Sequence, residues 1–160
     1  MINVIWRLAY RAAFLGYLFL NAVRRPSTQG VLVAIWHEGH LLCVRNSYRW
    51  GWNLPGGMVR SGEDTAGAAV RELREEIGLR VDTVRLVHAL DTRCFYENRH
   101  DSTRFYSLNL TERVGIVVDG REVTAAEWLL PADALTQGVI PPVRQYLESL
   151  VHGNACSAPR

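Results

Sequence analysis

Glu72, Glu75 and Glu76 stand together in a segment with helical periodicity. On a wheel of 100° per residue they share one face, while Ala66, Ala69, Val70, Leu73 and Ile77 occupy the other. Three carboxylates are thus expected on the side that does not pack. Crowding like charges is unfavourable by about 0.2–0.5 kcal/mol per i,i+4 pair, so the cluster invites a compensating cation. Carboxylate oxygens select Mg²⁺, with Mn²⁺ as a substitute, over zinc. Pro55-Gly56-Gly57 precedes the helix, and its bare backbone can bring a carbonyl to the same ion or admit a phosphate. Arg71, one turn before Glu75, can orient a carboxylate through a bidentate contact. An acidic helix face alone usually means a solvated face; here the spacing argues otherwise.

Gly57, five residues, Glu63, seven residues, then Arg71-Glu72-Leu73-Arg74-Glu75-Glu76-Ile77-Gly78-Leu79 resembles the Nudix box at every defining position. The resemblance implies an α/β protein with the Nudix fold, an α/β/α sandwich around a mixed central sheet. It also implies a metal-dependent hydrolase that cleaves the diphosphate linkage of a nucleoside diphosphate joined to another moiety. That substrate class covers nucleoside triphosphates, nucleotide sugars, ADP-ribose and dinucleoside polyphosphates. Glu72, Glu75, Glu76 and the Gly56 carbonyl would hold the metal, Arg71 would orient a glutamate, and Glu63 would support them. Glu76 or Glu75 is the first candidate for the base. Some family members place it on a later loop, where Glu122 stands here; Glu97 and Asp101 are further candidates. Two other readings are a Nudix-fold sensor or interaction module without turnover, against which the intact glutamates argue, and a membrane-surface hydrolase of a lipid-linked diphosphate.

Substrate recognition is more thinly written. Tyr48, Trp50 and Trp52 are placed to stack on a base, and Arg45, Arg49 and Arg60 to meet phosphates. Tyr96 lies near the spacing associated with dinucleoside-polyphosphate cleavage. Phe95 stands where many ADP-ribose enzymes carry proline, and neither a coenzyme-A motif nor a long NADH-type signature is present.

The elements that must position these residues are punctuated by turn and cap residues. Two strands, Val31–Trp36 and Leu41–Arg45, meet through the hairpin His37-Glu38-Gly39-His40. A short strand over Trp50–Leu54 leads into the glycine loop, and a helix runs from Thr65, as N-cap, to Ile77, with Gly78 as C-cap. Strands follow over Val81–Cys94 and Thr103–Leu110, around a polar loop from Glu97 to Ser102, and over Glu122–Leu130. A closing helix covers Pro141–Val151.

The 160-residue chain has the size of one domain, divided as an appended helix over residues 1–25 and a main domain over 26–160. A net charge of +2 provides no strong field for bulk nucleic acid, and the partner that the resemblance implies is a small-molecule diphosphate. Cys43, Cys94 and Cys156 are scattered, as free thiols in a cytoplasmic protein would be. The segment before Val23 is apolar except for Asn3, Arg7, Arg11 and Asn21, which form one stripe of an amphipathic helix. Its apolar run, Ala12–Leu20, is too short to span a bilayer. Three roles are open to it: packing against the domain or a second subunit in a homodimer, peripheral contact with a membrane through Arg7, Arg11, Arg24 and Arg25, or service as a signal or anchor.

Overall fold

The computed structural model describes residues 2–155, with side chains from 3 to 151. Helix α1 (Ile2–Arg24) leads into β1 (Ser27–His37), β2 (His40–Asn46), β3 (Gly56–Met58), α2 (Thr65–Ile77), β4 (Val87–Tyr96), β5 (Arg99–Asn109), β6 (Val123–Leu129), α3 (Pro131–Gln137) and α4 (Pro141–Ala155). The sheet runs β4-β5-β1-β2-β6, with β3 on the opening stretch of β1. It is mixed, because β1 and β5 are parallel from Ser27↔His100 to Trp36↔Asn109 while the other pairs are antiparallel.

The unbroken apolar run of β1 follows from burial on both faces. Val31, Val33 and Ile35 meet Ala69, Leu73 and Ile77 of α2 on one side. Leu32 and Ala34 meet Val143, Tyr146 and Leu147 of α4 on the other, where the Phe105 and Tyr146 rings stack at 4.8 Å. Beyond their turn, β1 and β2 separate, and residues 52–58 enter the gap. Val33 N–H donates to the Pro55 carbonyl, Val44 and Asn53 exchange backbone bonds, and β3 pairs with Gly30–Leu32.

Several expected boundaries move, each for a local reason. The strand expected over Trp50–Leu54 is reduced to bridges at Trp52 and Asn53, and the ladder forms instead at Gly56–Met58. The N-cap is Asp64, whose Oδ1 accepts from Gly67 N–H, while the Thr65 hydroxyl meets Tyr106. Asp82 caps a short 3-10 turn at Thr83–Arg85, so β4 starts at Val87 rather than Val81. The polar loop shrinks to a two-residue turn, Glu97 and Asn98, both with positive φ. β1 begins at Ser27 rather than Val31, because Ser27–Gly30 pairs with β5. Helix α3, opened by Pro131, was not expected. Cys43 and Cys94 are free thiols; Cys156 lies outside the described residues.

α1 packs on its own domain with its polar stripe inward. Arg7 Nε donates to the Gly120 carbonyl, Arg11 Nε to that of Ser47, both at 3.0 Å, and Asn21 Nδ2 to that of Glu97. Arg7 and Arg11 are therefore not available to lipid headgroups. Among the described residues no helix is long and apolar enough to cross a membrane.

Leu73 is fully buried between α2 and the sheet. Leu73→Ala is expected to lower stability by about 2–5 kcal/mol in urea unfolding; a loss under 1 kcal/mol would show that the α2 interface relaxes around the cavity.

Candidate active site

The site is built where β3 passes the first turns of α2. Gly56 has φ 142°, and a Cβ there would lie 2.2 Å from the Val31 carbonyl oxygen, so only glycine lets β3 pair with β1. A Cβ on Gly57 would lie 2.6 Å from Glu72 Oε1, so the bare backbone is also what brings the loop against the helix carboxylates.

Glu76 does not lie on a solvated face. It is 7% exposed, and its Oε2 accepts from Gly56 N–H at 2.8 Å. The wheel explains this, since Glu76 follows Ala69 by seven residues and is rotated from that buried position by only about 20°. Burial pushes its carboxyl well above the usual range against the Gly56 hydrogen bond, and the charges of Glu72 and Glu122 push it further. Burial also raises Glu72, opposed by Arg71. Glu75 is the exposed member of the three.

Arg71 ties the motif together. Its bidentate partner is Glu63 rather than Glu75: Nε and Nη2 meet Oε1 and Oε2 at 2.8 and 2.9 Å. Its Nη1 donates to Glu72 at 2.6 Å and to Glu75 at 3.3 Å, and Nη2 reaches the Met58 carbonyl. The hydrogen bonds from Arg71 to Glu63, with one from the Arg60 amide, hold the half-buried Glu63 carboxyl down to about 2.

Among the described residues no three His, Cys, Asp or Glu side chains are grouped so that they could hold a metal ion as they stand. Arg71 and the Gly56 amide hold the glutamate oxygens in their present positions. The residues nevertheless fit a hard divalent cation in donor chemistry, since all three offer carboxylate oxygens to one cavity. They fit it in charge as well, because Glu72 and Glu76 are both destabilised as anions there.

That cavity, of about 470 Å³, is lined by Glu72, Glu75, Glu76 and Glu122 together with Gly56 and Gly57. Glu122 is held by the Tyr48 hydroxyl at 2.8 Å. Tyr48, Tyr96, Arg49 and Arg60 also line the cavity. Arg45 and Trp52 do not. Trp52 is a core residue, 2% exposed, whose Nε1 donates to Gln137, and the Arg45 guanidinium lies over its ring. Trp50 is exposed and covers Gly138. Asp101 borders the cavity but is bonded to Arg99, Thr28 and Thr103, and Glu97 pairs with Arg49 and Arg99. Both carboxylates hold structure together.

One whole wall was missed in the sequence. Tyr10, Ala13, Phe14 and Tyr17 of α1 face the same cavity. Phe14 and Tyr10 pack on Tyr48 at 5.0 and 6.1 Å between ring centres, and Arg99 bonds the Tyr17 hydroxyl. Their spacing, i, i+4 and i+7, was the available signal: it places them beside the polar stripe that the domain takes up.

Known proteins resemble this chain in sequence and in fold. A 66-residue stretch is 39% identical to the CMP-5'-(N-acetyl-N-hydroxy-3-aminopropyl)phosphonate hydrolase of Streptomyces rubellomurinus, covering 39% of this chain and only 32% of that relative. Over 122 residues the chain is 32% identical to human diphosphoinositol polyphosphate phosphohydrolase 3-beta, covering 74% and 73% of the two chains. The crystal structure of a MutT protein from Methanosarcina mazei Go1 superposes with a TM-score of 0.70 at 21% identity, over 81% of this chain and 96% of that one, which is a likeness of fold. The NUDIX domain family model matches residues 26–150, everything described between α1 and the last turns of α4. With the box, the fold and the cavity in agreement, the chain belongs to the NUDIX family.

Proposed function

We propose that the chain is a Mg²⁺-dependent pyrophosphohydrolase acting on a nucleoside diphosphate joined to another moiety, with Mn²⁺ as a substitute ion. The observation that carries this reading is one cavity shared by the box glutamates and an aromatic wall. A charged diphosphate end and a flat organic end can be held side by side there.

Glu72, Glu75 and Glu76, with the Gly56 carbonyl, would hold the metal, which supplies charge neutralisation at the phosphates and acidifies water. Arg71 keeps Glu72 in place and is itself fixed by Glu63. In the reaction a water oxygen adds to one phosphorus, the bridging P–O bond breaks, and the leaving phosphate departs with the electron pair. The water proton passes to Glu76 or Glu75, with Glu122, already oriented by Tyr48, as the second candidate. Tyr10, Phe14, Tyr48 and Tyr96 surround the organic end, and Arg60 stands at the rim on the Glu75 side.

The direct test incubates the protein with Mg²⁺ and a panel of nucleoside triphosphates, nucleotide sugars, ADP-ribose and dinucleoside polyphosphates, following phosphate with and without added phosphatase. Hydrolysis of at least one class, abolished by a chelator and restored by Mg²⁺, is expected; a folded protein inert across the panel would overturn the reading. Glu76→Gln keeps the shape and removes the charge, so kcat should fall at least about a hundredfold. Near-normal turnover would remove Glu76 from the site. Phe14→Ala should raise KM about three- to tenfold with kcat little changed; an unchanged KM would mean that α1 does not touch the substrate.

A further inference from the structure

α1 is oriented against the usual rule for an amphipathic helix on a soluble domain, in which the apolar face is buried and the polar face solvated. Here the polar stripe is bonded to the domain, and the opposite side faces outward. Val4, Ile5, Leu8, Leu15, Phe19 and Val23 are each 57–71% exposed. They fall within an arc of about 100° in which every residue from Val4 to Val23 is apolar, along a helix of about 35 Å. Single exposed apolar side chains are ordinary, whereas a continuous stripe of this length marks a surface that is covered.

The charges around the stripe indicate what covers it. Residues 1–37 contain Arg7, Arg11, Arg24 and Arg25 and no acidic residue. Arg7 and Arg11 are committed to the domain, but Arg24 and Arg25 are exposed at one end of the stripe. At the other end the exposed Arg121 stacks over Trp6. An apolar stripe with exposed arginines at both ends is complementary to a bilayer with anionic headgroups. Two α1 helices paired across their stripes would instead bring together segments that offer these arginines no acidic partner.

We propose that the outer face of α1 docks the enzyme on an anionic lipid surface, lying in the plane of the interface with the catalytic domain on the water side. Because the inner face of the same helix lines the cavity, docking holds the hydrolytic site about one helix diameter from the headgroups. The inference concerns where the enzyme works and does not depend on which diphosphate it cleaves.

The test uses the whole chain in vesicle flotation, with phosphatidylcholine alone and mixed with phosphatidylglycerol, beside light scattering of the free protein. The wild type is expected to float with the anionic vesicles, less so at high salt. Leu15→Glu with Phe19→Glu, two outward residues clear of the cavity, should cut partitioning at least about tenfold. Arg24→Ala and Arg25→Ala should each cost about fivefold. Turnover of a soluble substrate and the unfolding midpoint of these variants should stay at wild-type values, so failure to bind lipid and failure of the hydrolase reading are separable. Wild-type protein that remains unbound with both vesicles overturns the proposal, as does flotation unaffected by Leu15→Glu with Phe19→Glu. A dimer dispersed by those substitutions without lipid binding assigns the stripe to a second copy of the chain.

Discussion

A buried carboxylate held by one backbone amide fixes the geometry of this site. Taking Glu76 out of water disfavours its charge, and the Gly56 N–H that answers it exists only because β3 is seated on β1. That seating requires glycine at position 56, where any side chain would collide with Val31. It also requires α2 at a fixed height, which Leu73 and Ile77 provide by packing into the sheet. Loop, strand and helix are each placed by the same short contact, and Arg71 repeats the arrangement one turn away by joining Glu63, Glu72 and the Met58 carbonyl.

The consequence for chemistry is a cluster of carboxylates held at some cost in free energy. Burial raises Glu72 and Glu76, and the neighbouring acids add to the strain at Glu76. The protein offsets this only in part, with the Arg71 guanidinium at Glu72 and the Gly56 amide and the Arg49 charge at Glu76. Such an imbalance suits a site that works with a cation, and folding energy stored in the apolar contacts of α2 keeps it in place.

Much of this could be read from the chain because it is written locally. The box residues, the α2 boundaries at Thr65 and Ile77, the Gly78 cap and the Glu38-Gly39 turn depend on neighbours a few positions apart, where periodicity and capping rules act. What escaped depends on distant partners. Glu76 reads as one of a solvated acidic trio, although its place on the wheel is close to that of Ala69, until the loop twenty residues earlier is laid over it. Trp52 and Arg45 resemble ligand contacts until Gln137 draws the indole into the core. The stripe of α1 was visible, but its direction was not, because Arg7 and Arg11 bond carbonyls 113 and 36 residues away. Tyr10, Phe14 and Tyr17 could be assigned to the cavity only once that direction was known.

The parallel pairing of β1 with β5 has a temporal side. Each paired residue lies 73 positions from its partner, as in Ser27 with His100 and Trp36 with Asn109. Closing so long a loop is slow compared with forming a helix or hairpin, because the chain entropy is lost before the contacts are gained. On the ribosome, α2 and its glutamates emerge well before the strand that completes the middle of the sheet. Until residue 109 has been made, the apolar side of α2 has only an incomplete sheet to rest on. The helix that carries the three glutamates is thus complete before β4, β5 and β6 are made and gains its full support only after them.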